Sequence, residues 1–117
     1  MRNVFLLIVL AVVVFTGCTK CDGEDPRARI VNNGTESVSV HIETSGGNII
    51  NINNIDANMS SEYNTFDPGA VEFIITIGNV GSSQDYVKAV VMQTCFDYDI
   101  QIDVDNNVTS IPKDRNE

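Results

Sequence analysis

The sequence has no tryptophan, one histidine, three cysteines and 7 basic residues among its 117 residues. With 16 acidic residues the formal net charge is −9. A nucleic-acid-binding protein needs the opposite sign, because its cationic side chains neutralise the phosphates. One histidine and few cysteines leave little material for catalytic or metal chemistry. Aromatic residues make up 7% of the chain and offer few rings for stacking on sugars. These shortages argue against nucleic-acid binding, enzyme activity and glycan binding, and we expect no cofactor.

One apolar run stands out near the beginning of the chain. Arg2 precedes residues 4–15, which are 12 consecutive apolar positions. As a helix this run would span about 18 Å, which is short of the roughly 30 Å hydrocarbon core of a bilayer. A basic start followed by a short apolar segment is typical of a secretory signal peptide.

The end of that run resembles a known processing motif. Phe15-Thr16-Gly17-Cys18 resembles the lipobox of bacterial lipoproteins, in which the cysteine is diacylated and becomes the mature N-terminus. The resemblance implies a signal peptide over residues 1–17 and a membrane anchor at Cys18, since two or more acyl chains hold a protein stably on a bilayer. The alternatives are an ordinary signal peptide cut near Gly17 and a short uncleaved anchor.

Residues 18–27 are acidic and lack the pattern of a helix or a strand, so we interpret them as a tether. The cluster Asp22, Glu24 and Asp25 is either a solvated linker or, by resemblance, the surface-export signal of lipoproteins in the Bacteroidetes lineage. An aspartate directly after the lipidated cysteine would resemble an inner-membrane retention signal, and this chain has Thr19 there. We therefore expect a lipid-anchored protein of the outer membrane, facing the periplasm or exposed at the cell surface.

Downstream of the tether, alternation of apolar and polar residues predicts β-strands. The clearest alternating segments are residues 37–43, 71–77 and 98–104, and weaker strands are predicted over 28–32, 48–53, 60–66 and 108–111. Residues 87–96 are apolar on both faces, which predicts a central strand covered on both sides. We expect residues 113–117, from Lys113 to Glu117, to form a flexible tail.

Glycine, proline and asparagine separate the predicted strands. Asn33-Gly34 predicts a tight hairpin between the first two strands, and Asn106-Asn107 could close the last one. Gly46-Gly47 and Asp67-Pro68-Gly69 also predict turns. About seven to eight short strands over residues 28–112 predict an antiparallel, immunoglobulin-like β-sandwich, with a small barrel as the alternative.

Several short motifs resemble a widespread family of bacterial cell-surface modules of unknown function. They are RIVNN at residues 29–33, VSVHI at 38–42, SEY at 61–63 and PG at 68–69. The resemblance covers roughly residues 27–77. It implies a β-sandwich and a surface location, and it transfers no catalytic residues.

Four aspartates follow one side of a predicted strand: Asp97, Asp99, Asp103 and Asp105. Charges on a solvated edge strand would discourage edge-to-edge pairing. The alternative is a Ca²⁺ site, because this ion prefers carboxylate oxygens. The pattern of a calcium loop fails, since Val108 and Asp114 stand where the loop needs glycine and glutamate.

The remaining candidates are His41 and the cysteines. By parity His41 points away from the apolar face of its strand, and we expect it to be solvated. Lipidation of Cys18 would leave Cys21 and Cys95 as an even pair in an oxidising compartment. Either these two cysteines form a disulfide, or Cys21 is free and Cys95 is buried and inert. We place Cys95 near the end of the apolar strand 87–96, on the same face as Val87. A disulfide would close a loop of 75 residues and contribute at most about 4 to 5 kcal/mol.

The sequence therefore favours a non-catalytic interaction or binding module, anchored in the envelope by lipid. Its partners would be the membrane, through the anchor, and an envelope or extracellular protein that the sequence does not identify. The alternative is a structural or assembly subunit in which the β-domain is a spacer. A contiguous exposed apolar patch would favour the first hypothesis and a uniformly charged surface the second.

Overall fold

The computed structural model describes residues 21–78 and 83–116, which fold into two β-sheets packed face to face. The first sheet has the order β4-β1-β8-β9, and β5 pairs with β1 beside β4. Its strands are β1 (Arg27–Asn32), β4 (Met59–Ser60), β5 (Asn64–Thr65), β8 (Phe96–Ile102) and β9 (Val108–Asp114). We call it sheet 1.

The second sheet, sheet 2, has the order β3-β2-β6-β7. Its strands are β2 (Val38–Thr44), β3 (Ile49–Ile55), β6 (Gly69–Ile77) and β7 (Gln84–Met92). All pairs in both sheets are antiparallel except β1 with β8, which is parallel. The prediction of an all-β sandwich is confirmed. Over the two described ranges, no helix has the length and hydropathy to cross a membrane.

The core lies between the sheets and is built by the alternation that the sequence shows. In β6 every second residue is buried, and β1, β2 and β8 alternate in the same way at most positions. The most completely buried apolar residues include Ile30, Ile42, Phe73, Ile75, Ile100 and Ile102. Burying each such side chain contributes roughly 1.5 to 3 kcal/mol, so the paired inner faces hold the sandwich together.

A β-bulge in β3 changes which side chains reach the core. Val38 pairs with Ile55 and Val40 with Ile52, so β3 has one residue more than β2 across this interval. Asn54 in the bulge has a φ of 58°, a backbone conformation that asparagine tolerates. The extra residue reverses the alternation and turns Ile55 inward, which extends β3 beyond the predicted segment 48–53.

The predicted Asn33-Gly34 hairpin is wrong, because β1 and β2 belong to different sheets. The segment crosses between the sheets, and Gly34 is buried there. A Cβ atom on Gly34 would lie 3.1 Å from the carbonyl oxygen of Asp103 and 3.2 Å from Oδ1 of Asn32. Glycine is therefore needed for close approach. The predicted turns at Gly47 and Asn106 are present, with φ of 85° and 63°, whereas Asp67-Pro68-Gly69 is a bend that leads directly into β6.

Two strand predictions are also corrected. Residues 87–96 do not form a covered central strand, because β7 is an edge strand with exposed apolar residues on its outer face. Residues 60–66 contain only β5 and the end of β4. Both errors concern a strand's neighbours, which the local pattern of residues does not encode.

The described parts of the predicted tether and tail, residues 21–27 and 113–116, contact the domain. From residue 21 to residue 26 the chain follows sheet 1: Pro26 is buried, and its carbonyl accepts the N–H of Phe66 at 2.9 Å. The carbonyl of Glu24 accepts the N–H of Cys95 at 2.9 Å. At the other terminus β9 continues to Asp114, and β1 begins at Arg27.

Asn32 offers a test of the crossover between the sheets. Its buried side chain donates to the carbonyls of Glu36 and Ile55, and its Oδ1 accepts the N–H of Gly34. Asn32→Ala would leave these groups without partners, and we expect the free energy of unfolding to fall by about 3 kcal/mol. Urea denaturation measures the change, with exposed Asn33→Ala as the matched control. Equal stability of the two variants would contradict this role.

Candidate functional site

The outer face of sheet 1 carries two arginine–aspartate pairs that follow from the register of β1 with β8. Arg27 lies opposite Asp97 and Arg29 opposite Asp99. Nε and Nη2 of Arg27 donate to the two oxygens of Asp97 at 2.8 and 2.7 Å. The same two atoms of Arg29 donate to Asp99 at 2.8 and 3.2 Å. These bidentate pairs connect the first strand to a strand 70 residues later.

Three more side chains complete this ion-pair network. The ring of Tyr63 lies 5.0 Å from the guanidinium carbon of each arginine, and its hydroxyl donates to Oδ1 of Asp99 at 3.3 Å. Nζ of Lys113 lies 3.1 Å from Oδ2 of Asp99. Nε of Arg115 is 3.3 Å from Oδ1 of Asp97 without the alignment of a hydrogen bond. The network therefore gathers four cations around two carboxylates.

Asp99 is the buried centre of the network, with 3% of its surface exposed. Its burial would raise the pKa of the carboxyl, but hydrogen bonds from Arg29 and Lys113 outweigh that effect and lower the pKa below its ordinary value. The hydrogen bonds from Arg27 to Asp97 and from Arg29 to Asp99 likewise raise the pKa of each arginine. Each charge of this network thus has an oppositely charged partner within the fold.

The four aspartates do not come together. Asp97 and Asp99 contact cations inside sheet 1, so the prediction of a solvated edge strand is wrong. Asp103 lies in the β8–β9 turn, where its Oδ1 accepts the N–H groups of Asp105 and Asn107 at 2.9 Å each. The bond from the Asn107 backbone lowers the pKa of Asp103. Within residues 21–78 and 83–116, no group of three or more acidic, histidine or cysteine side chains is arranged to hold a metal ion.

A disulfide joins Cys21 to Cys95, with 5.7 Å between the two Cα atoms. Cys95 lies in the turn between β7 and β8 at a φ of 62°, and not on the strand face where the sequence placed it. Its N–H donates to the carbonyl of Glu24, and its carbonyl accepts the N–H of Arg115. The bond fixes the chain three residues after Cys18. Cys18 itself and the predicted signal peptide over residues 1–17 lie outside the described residues.

His41 lies on the outer face of sheet 2 and is half-buried there. Its Nδ1 is 2.8 Å from Oδ1 of Asn51, and its Nε2 is 3.1 Å from Oε1 of Glu43. The hydrogen bond with Asn51, followed by that with Glu43, raises the pKa of the imidazole. The ring is on the outer face, as predicted, but both of its nitrogens have protein partners.

An apolar stripe covers the outer face of β6 and β7. Val87 and Val91 are 64% and 71% exposed, and Ala89 lies between them on the same face. Ile74 pairs with Val87, and Ala70 pairs with Val91. We call these five residues the β6–β7 stripe. It runs unbroken along β7, whereas on β6 Glu72 separates Ala70 from the half-buried Ile74, and exposed apolar residues grouped on one face are of the kind that marks interaction sites. The sequence signal for this stripe is the apolar run 87–96, whose local pattern predicts a covered strand.

A depression of about 250 Å³ adjoins the stripe. It is lined by Glu43, Glu72, Ser45, Ala70 and Ala89, with Thr44 and Val71 at its margin. A larger open groove of about 400 Å³ lies at the opposite side of the sandwich, between β3 and β4. Its charged groups are Asp56 and Glu62, so both concavities are acidic.

Comparison with known proteins adds no identification: no protein-family model and no curated protein matches this chain. The resemblances to lipoprotein signal sequences and to the family of surface modules stay predictions.

Asp99→Asn tests the ion-pair network. The variant lacks the charge that Arg29 and Lys113 contact, so we expect the free energy of unfolding at pH 7 to fall by about 2 kcal/mol. Because the folded pKa lies below the ordinary value of about 3.9, the charge stabilises the fold above that pH and its contribution disappears as the pH falls through the folded pKa. Urea unfolding from pH 7 to pH 2 should therefore show a smaller loss of stability in the variant than in the wild type. Asp105→Asn, in the exposed turn, is the control, and identical pH profiles for Asp99→Asn and the wild type would contradict this assignment.

Proposed function

We propose that the protein is a lipid-anchored envelope protein whose β-sandwich acts as a non-catalytic interaction module. The observation that carries this proposal is the β6–β7 stripe, since exposed valines grouped on one face favour a partner that covers them. The charged face of sheet 1 contributes little to recognition of a charged partner, because its cations already contact Asp97, Asp99 and Glu24.

The proposed anchor would hold this module close to the membrane. Cys21 is fixed to the domain by its disulfide, so only Thr19 and Lys20 separate it from Cys18. Three residue steps span at most about 11 Å. A partner would therefore meet the module near the bilayer surface, in the outer membrane and on its periplasmic or external side.

The alternative is a structural or assembly subunit with the β-domain as a spacer. The net charge of −9 favours it, since a charged surface keeps a spacer soluble. A short connection to the membrane disfavours it, because a spacer gains reach from a long one. The two proposals differ in whether substitution of the stripe changes an interaction.

Cys18→Ala tests the anchor. The wild-type chain should incorporate a labelled fatty acid in growing cells and fractionate with membranes, whereas the variant should remain unlabelled and uncleaved or become soluble. Thr19→Ala, one residue away and without a thiol, is the matched control. A cleaved Cys18→Ala product that still fractionates with membrane lipid would show that another feature anchors the chain.

The double variant Val87→Asn/Val91→Asn tests the stripe. Because both side chains are largely exposed, we expect the free energy of unfolding to change by less than about 1 kcal/mol. Chemical crosslinking in intact cells should yield at least ~10-fold less of any adduct that the wild type forms, as loss of a buried interface contact commonly does. Val104→Asn, at a residue 65% exposed in the β8–β9 turn, is the control. Unchanged adducts in the double variant would favour the spacer.

A further inference from the structure

Two glutamates face each other on the outer face of sheet 2. Glu43 of β2 and Glu72 of β6 are directly opposite in the antiparallel register, and both are exposed. Like charges at opposed positions destabilise a sheet. The described titratable groups on the same face are His41, which contacts Glu43, and Asp85, which accepts from Thr76. Glu72 thus gains no cation from within this face.

An open depression of about 250 Å³ lies beside these carboxylates. Besides the two glutamates its lining includes the small residues Ala70, Ala89 and Ser45. Ala89 pairs with Glu72 across β6 and β7, so the depression opens directly onto the β6–β7 stripe. A cation held between two carboxylates would remove their repulsion, and a planar guanidinium is suited to contact both.

We propose that this depression binds an arginine or lysine side chain of a protein partner whose apolar residues cover the β6–β7 stripe. The inference rests on the proposed function as an interaction module and names the chemistry of the partner. The partner surface is an apolar patch bordered by basic residues, complementary in charge to the acidic pair. Affinity would come from the covered valines, and specificity from the cation between the glutamates.

Charge selects this partner over two other occupants. A second copy that docked through the same face would bring two pairs of glutamates together, which costs several kcal/mol in the absence of cations. An anionic lipid surface would be repelled by Glu43, Glu72 and Asp85. The cations on the outer face of sheet 1 contact carboxylates of their own chain, so a head-to-tail copy would have to break those pairs.

The test is site-specific photocrosslinking with the full-length chain in intact cells. A benzophenone amino acid replaces Val87 in the stripe or, as the control, exposed Thr109 on β9 of sheet 1. The partner segment joined at position 87 is then identified by mass spectrometry. We expect an adduct from position 87 with a segment that contains lysine or arginine within a few residues of apolar side chains.

Charge reversal makes the test specific. The double variant Glu43→Lys/Glu72→Lys should reduce the yield of the adduct from position 87 at least ~10-fold. Glu36→Lys should not, because Glu36 is an exposed acidic residue in the segment that connects β1 with β2. Glu72→Gln separates recognition from folding: it should raise the midpoint of urea unfolding by removing the repulsion, and it should lower the adduct yield. A purely structural Glu72 would lower both quantities.

The outcomes distinguish this inference from the proposed function. An adduct from position 109 alone, an adduct with an acidic segment or with a second copy, or an adduct insensitive to charge reversal would overturn the inference and leave an interaction module. An absence of adducts from both positions would overturn the inference and the proposed function together.

Discussion

The parallel pairing of β1 with β8 is the interaction on which the other features depend. It places Arg27 and Arg29 beside Asp97 and Asp99 in register, so two bidentate ion pairs form between strands 70 residues apart. The same pairing carries the preceding segment past the turn between β7 and β8, where Cys21 meets Cys95. The connection between the proposed anchor and the domain is therefore fixed by the strand order of sheet 1.

The two outer faces of the sandwich differ in how their charges are compensated. On sheet 1 the cations and carboxylates lie side by side, and the buried Asp99 accepts from three partners. On such a face every charge already has an oppositely charged partner in the same chain, and breaking one of the pairs would leave the other charge buried and unpaired. On sheet 2 the carboxylates of Glu43 and Glu72 oppose each other next to exposed valines. We assign recognition by a partner to this second face, because among the described residues Glu72 contacts no cation there, whereas Glu43 contacts His41.

The edges of the sheets explain why docking would use a face rather than added strand pairing. Lys88 lies on the core-facing side of the edge strand β7, opposite Phe73, and β9 contains Pro112. β3 is bulged at Asn54, and β4 and β5 have two residues each. Inward-pointing lysine, proline, bulges and short strands all discourage edge-to-edge pairing. The sandwich can thus expose an apolar stripe without extending its sheets into a neighbour.

Local residue order was enough to predict the strands of the core, because the two-residue period of a strand is a property of the backbone and shows directly in Val38, Val40 and Ile42. The turns at Gly47 and Asn106 were predictable for a different local reason, since they need a positive φ that few residues adopt.

The neighbours of each strand were not predictable. The alternating aspartates looked solvated until β1 placed arginines beside them, and Val87 and Val91 looked buried until β7 proved to be an edge. Cys95 paired with Cys21 only because the fold brings their Cα atoms to 5.7 Å. Side-chain period depends on adjacent residues, whereas strand order depends on packing energies summed over the whole chain.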